Sequence, residues 1–260
     1  MKAQDAGKLA GVRIPRTGAA RPVFRRRHWP LLSAAVLTLA LAGACGDSEY
    51  RYVSNSSINT YLKVPAEWEE FNHDDLVGAE ISAARLANQP SSLIDALVNR
   101  QFQWRVAFDG DPRPSVEHTL GLPEEPVVEV SVRALEPEEH DQVSLATLRN
   151  VLVNYDEMKA KAQEELDGKA FGIGGESTAT FRPIDEEELH YEGGVRGVRI
   201  RYVLRPNETS PFYAFDQTTL VDSKAERLYV LLIRSGEAQF LRDNQLFTEI
   251  AKSFTVKPKG

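Results

Sequence analysis

Hydrophobic and polar positions alternate one by one in some stretches of this chain and recur every three or four residues in others. Residues 101–108 put Phe102, Trp104, Val106 and Phe108 on one side, and residues 127–135 set Val128, Val130 and Val132 against Glu129, Ser131 and Arg133. A period of two marks a strand with one buried face. Residues 58–64, ending at Pro65 with Trp68 just beyond, read as the first strand. Residues 176–184, 197–204, 212–222 and 227–234 read as four more, parted by turn residues such as Glu192-Gly193-Gly194 and Pro206-Asn207. Asp109-Gly110-Asp111-Pro112 is a further turn.

Helical spacing appears at 144–166 through Leu145, Leu148, Leu152, Tyr155 and Met158, with Gly172 to Gly175 breaking it. It returns at 237–253 through Phe240, Leu241, Phe247, Ile250 and Ala251. Ser91 and Ser92 can cap a short helix running to Arg100, with Leu93, Leu97 and Val98 on one face. Residues 69–86 form a weaker helical stretch interrupted by Gly78, and Phe254-Thr255-Val256 closes the chain. Consecutive strands with short turns pair antiparallel, and amphipathic helices must cover sheet faces. The expected fold class is therefore α+β: a central antiparallel β-sheet flanked by helices, as one domain over residues 58–260.

The first 45 residues follow a different rule. Arg25-Arg26-Arg27 precedes an uncharged apolar run over residues 31–42, which is too short for a spanning helix of about 20 residues. A basic head, a short apolar stretch and small residues after it make a secretory signal. Leu41-Ala42-Gly43-Ala44-Cys45 resembles a bacterial lipobox, which implies cleavage after Ala44 and lipidation of Cys45. The competing reading is an ordinary secretory signal with a free Cys45 near the mature end. An unpaired thiol on an exported protein is a liability, which favours the lipid. Two or more acyl chains then give stable anchoring to the bilayer on the extracytoplasmic face of a cell membrane. Residues 1–22 are long for a basic head, and translation from Val23 or Val12 by a GTG codon fits better. Residues 45–57 read as the lipidated cysteine and a polar linker, which would average about 20 Å end to end.

Charge sharpens this division. The first 45 residues hold eight of the 31 basic residues and one of the 38 acidic ones, so the remainder sets 23 against 37, about −14. Such a domain repels phosphate backbones, and its basic residues are scattered among acids, so nucleic acid is excluded as a partner.

Tyr61-Leu62-Lys63-Val64-Pro65 with Trp68 near the start, Arg227-Leu228-Tyr229-Val230-Leu231, and residues 247–256 ending in Lys252-Ser253-Phe254-Thr255-Val256 together resemble the PsbP/Mog-type α/β/α sandwich family. That family includes extrinsic photosystem II proteins and many actinobacterial lipoproteins. The stretch 101–140 finds no counterpart in it and reads as an insertion. The resemblance implies a binding or assembly role and supplies no catalytic residues.

No other pattern points firmly to chemistry. His73, His118, His140 and His190 lack a partner at metal spacing, so no metal or cofactor is expected. Gly172-Ile173-Gly174-Gly175 lacks the Lys-Ser/Thr of a phosphate loop. The acid runs Glu67-Glu69-Glu70, Glu136-Glu138-Glu139 and Asp185 to Glu188 read as solvated loops. Trp68, Trp104, Phe212, Tyr213 and Phe215 pack in the core by default, because alternate strand residues face inward; the exception is 211–215, one face of which is expected to meet solvent, and this makes the five a candidate binding surface. The sequence thus predicts a non-enzymatic, membrane-tethered module that docks a protein partner or envelope component. The alternative is a carrier holding a small or lipidic ligand between helices and sheet.

Overall fold

A computed structural model describes residues 49–170 and 180–257. Residues 1–48, with Ala44 and Cys45, and residues 171–179, with Gly172 to Gly175, lie outside the described residues. Within 48–260 the chain forms a mixed α+β fold with two antiparallel sheets. The strands are β1 (Tyr50–Asn55), β2 (Thr60–Pro65), β3 (Glu69–Asn72), β4 (Trp104–Asp109), β5 (Val127–Ala134), β6 (Phe181–His190), β7 (Arg196–Leu204), β8 (Tyr213–Val221), β9 (Arg227–Gly236) and β10 (Thr255–Val256). Seven of them build the main sheet in the order β3-β4-β5-β9-β8-β7-β6, and β1-β2-β10 form a small one. The helices are α1 (His73–Leu86), α2 (Ser91–Val98), α3 (Pro137–His140), α4 (Leu145–Arg149), α5 (Tyr155–Ala170), α6 (Glu237–Arg242) and α7 (Asn244–Ser253).

Both faces of the main sheet are covered. On the first, Val128, Val130, Val132, Tyr229, Leu231 and Ile233 pack with Leu62 and Val64 of β2 and with Phe240, Phe247 and Ile250 of α6 and α7. On the second, Val198, Ile200, Tyr202, Phe215, Leu228 and Val230 pack with Leu148 of α4 and with Tyr155 and Ala162 of α5. Alternation sends successive side chains to opposite faces, so the inner strands bury residues on both sides, polar ones such as Arg199, Asp216 and Thr218 included.

Several expectations change. Residues 50–55 are a strand and not a linker: Tyr50 pairs with Pro65 and Asn55 with Thr60, completing the β2 ladder. Residues 69–72 pair with β4 before α1 begins, and Asn72 supplies the cap, accepting from the amides of Asp74 and Asp75 at 2.8 and 3.2 Å. The helical stretch 144–166 divides into α4 and α5, with Arg149, Asn150 and Asp156 hydrogen-bonded across the break. The last helix divides at Asp243, which leaves Leu241 68% exposed and off the buried face. In α2 only Leu97 is buried, while Leu93 and Val98 face outward. Residues 101–140 are no peripheral insertion, since they supply the interior strands β4 and β5.

The first and last motifs of the domain meet. Thr255 and Val256 pair with Tyr61 and Thr60. The Lys63 amide donates to Ser253 Oγ at 2.9 Å.

Candidate functional site

The five aromatics do not form one surface. Trp68 is buried over Gly110, and Trp104 is half-buried against the first core. Phe212 lies between the guanidinium groups of Arg182 and Arg205, at 5.0 and 4.9 Å, and packs on the first core. Tyr213 packs on the second core, as does Phe215, which stacks on Tyr202 with centroids 4.9 Å apart and planes at 8°. Phe212 and Tyr213 do point to opposite faces, but layers cover both, so no exposed aromatic patch results.

The histidines are dispersed. His73 meets Phe102 edge-on, His140 contacts the Leu135 carbonyl at 3.1 Å, and His190 lies 4.0 Å from Glu188. His118 Nδ1 is 2.8 Å from Asp109, whose carboxylate also accepts the amides of Asp111 and Ser115. That carboxylate clamps the loop after β4. Among the described residues no group of three His, Cys, Asp or Glu side chains converges as a metal site. The acid runs are more structured than solvated loops. Glu70 pairs with Arg51 at 3.5 Å and Glu139 with Arg133 at 2.8 Å, while Asp185 to Glu188 lie within the edge strand β6.

The polar residues that do gather sit on the first face, beneath α7. In the ladder, Glu187 of β6 stands opposite Arg199 of β7, which stands opposite Thr218 of β8. The neighbouring row runs Asp185, Arg201, Asp216. Charges thus alternate across strands, the arrangement in which opposite side chains attract. Arg201 bonds Asp185 at 2.8 Å, which holds that carboxyl below the usual range. Arg199 Nε donates to Asp216 at 2.7 Å and its Nη2 to the second oxygen, a bidentate pair beside the next row. Asp216 is 1% exposed; burial pushes its carboxyl up, and the Arg199 fork opposes that.

One buried atom in this cluster has no partner in the fold, and one nitrogen of Arg199 is left unused. Arg199 Nη1 makes no hydrogen bond among the described residues, its other two nitrogens being committed to Asp216. Thr218 is 1% exposed, and its hydroxyl has no partner. Buried polar groups are normally satisfied, and each exception calls for a reason. Both residues line a cleft of 310 Å³ between α7 and β6–β8, whose walls are Glu187 to Tyr191, Ala251 and Lys252. Burial raises the Tyr191 phenol, with the Glu187 carboxylate adding to the shift.

A larger cleft of 410 Å³ opens at the β8–β9 turn. Four of its charges pair off, Arg227 lying 3.8 Å from Asp222 and Lys224 3.9 Å from Glu226, while Lys257 lies over the Tyr61 ring at 4.6 Å. The cleft beneath α7 is the stronger candidate, because its floor carries polar groups that the protein leaves unsatisfied.

No protein-family model matches the chain, and no curated protein matches it. Solved structures do. The cyanobacterial PsbP of Synechocystis sp. aligns over 84% of this chain and 99% of its own, at 13% identity and a TM-score of 0.37. The Ran-binding protein Mog1p of Saccharomyces cerevisiae aligns over 80% and 96%, at 11% identity and 0.37. LpqN of Mycobacterium tuberculosis, described as involved in cell envelope biogenesis, aligns over 80% and 91%, at 12% identity and 0.36. The likeness is one of fold. At these scores it says nothing of activity, ligand or partner.

Arg199, Asp216 and Thr218 were not among the residues singled out from sequence. The signal was present as Asp216-Gln217-Thr218-Thr219, four polar residues in a row inside an otherwise apolar strand. A polar run there means a buried network on both faces. On the other face, Gln217 donates to Thr219 Oγ1 at 3.0 Å and reaches the carbonyls of Leu148 and Arg149 at 3.4 Å.

Proposed function

We propose that this protein is a lipid-anchored, non-enzymatic binding module on the outer face of a cell membrane, and that it recognises an envelope component in the cleft between α7 and β6–β8. The anchor rests on the sequence Leu41-Ala42-Gly43-Ala44-Cys45 behind its basic and apolar leader. The recognition role rests on one observation: the buried Thr218 hydroxyl, on a strand that lines the cleft beside Arg199, has no partner in the fold. Donors held ready on sheet residues favour binding, because little ordering cost remains when a ligand arrives. The cleft has too many polar walls to suit a lipid tail, which sets the carrier reading second.

The test has two arms. Intact mass and globomycin sensitivity, wild type beside Cys45→Ala, are expected to give an acylated mature form that the substitution releases. Envelope extract titrated onto the isotope-labelled protein in maltoside micelles is expected to shift the amide resonances of Arg199, Thr218 and Tyr191, and to fail with Thr218→Val. An unlipidated wild type overturns the anchor, and unmoved cleft resonances overturn the recognition site.

A further inference from the structure

Resting on that reading of the cleft, we infer that its ligand is a zwitterion, carrying an acidic group at one end and an ammonium group at the other. The walls carry charges of both signs, three carboxylate or imidazole groups on β6 (Glu187, Glu188, His190) and one ammonium on α7 (Lys252). Glu187 stands on the β6 side and Lys252 on the α7 side, and neither forms an ion pair among the described residues. They line one cleft of 310 Å³ without bridging to each other. Between them the floor offers the spare guanidinium nitrogen of Arg199 and the unpartnered hydroxyl of Thr218, which is directly opposite it in the ladder.

A lone anion is a poor fit. Arg199 is already neutralised by Asp216, and Glu187 is its cross-strand neighbour on the other side, so two carboxylates flank the only buried cation at the floor. A lone cation would meet Arg199 and Lys252. Glu188 and His190 face each other at 4.0 Å, and a zwitterion suits the groups that remain: its carboxylate or phosphate accepts from Arg199 Nη1, Thr218 Oγ1 and Lys252 Nζ, and its ammonium donates to Glu187. Each contact is a charge-assisted hydrogen bond, the stronger kind. Amino acids and phosphoethanolamine headgroups share this chemistry.

The experiment titrates the labelled full chain in maltoside micelles with glycine, L-glutamine and O-phosphoethanolamine, and with the half-ligands acetate and methylammonium. At least one zwitterion is expected to shift Arg199, Thr218 and Tyr191 saturably, with both half-ligands at least about tenfold weaker. Thr218→Val, which removes a bond to a charged group, is expected to weaken binding about tenfold or more. Lys252→Gln and Glu187→Gln, both at exposed positions, are expected to do the same without touching the fold. Response to the amino acids against phosphoethanolamine identifies the source. Acetate binding as tightly as any zwitterion overturns the proposal in favour of an anion site. If envelope extract moves the cleft and no zwitterion does, the ligand class falls while the binding site stands. If neither does, both fall.

Discussion

Gly197 of β7 lies so close to Thr219 of β8 that a Cβ at Gly197 would press into the Thr219 carbonyl oxygen and sit 2.9 Å from the Leu220 Cα. Strands this near leave no room for a side chain, and the obstacle is backbone, which does not step aside. Gly197→Ala is therefore expected to cost at least about 3 kcal/mol, the upper end of the overpacking range. Urea unfolding of wild type and variant measures it, and a loss under about 1 kcal/mol refutes the close approach.

The Arg199–Asp216 pair is shielded from water, and removing one partner strands the other charge. Arg199→Met or Asp216→Leu alone is expected to destabilise by about 3–5 kcal/mol, and the double variant to regain most of it. A double-mutant cycle by thermal unfolding reads the coupling. Additive losses would mean that the two do not interact.

Acid is expected to weaken a different contact. Glu139 accepts from both Arg133 nitrogens at 2.8 Å, and this, with the Glu136 amide, holds its carboxyl down from 4.5 to about 2. The folded value lies below the unfolded one, so the contact contributes above about pH 4.5 and fades as pH falls toward 2. Both side chains are more than a third exposed, so solvent screening limits the contribution to under about 1 kcal/mol. Against Glu139→Gln, the stability of wild type should fall more steeply across that window. Parallel curves would show that the pair contributes nothing.

Asn72 caps α1 in a reciprocal box, since its own amide donates to Asp75 at 2.9 Å while its side chain accepts from Asp74 and Asp75. Asn72→Ala is expected to cost about 1 kcal/mol, and Asn72→Ser far less. Equal losses in the two variants would place the effect elsewhere than in the cap.

Periodicity made the strand-rich order and the antiparallel class readable from Val128, Val130, Val132 and the runs after residue 196, because single-side alternation survives when one face is buried. It misled where both faces are covered. The 212–215 aromatics alternate as if one face were open, although helices close one side of β8 and the small sheet with α7 closes the other. Tyr50–Asn55 read as linker because its polar and apolar residues support a strand only once β2 is beside it. The candidate cleft was less readable still. Glu187, Arg199 and Thr218 are scattered over 32 positions of chain and become neighbours only through ladder register. No local spacing encodes that.

The small sheet also sets a timetable. Thr60 and Tyr61 have no β10 neighbour until Val256 and Thr255, far along the chain, have been made. Contacts of such long sequence separation form late, because the intervening chain must be gathered first. The Lys63 amide likewise waits for Ser253. A nascent copy therefore keeps the small sheet unfinished until residues 253–256 have been made.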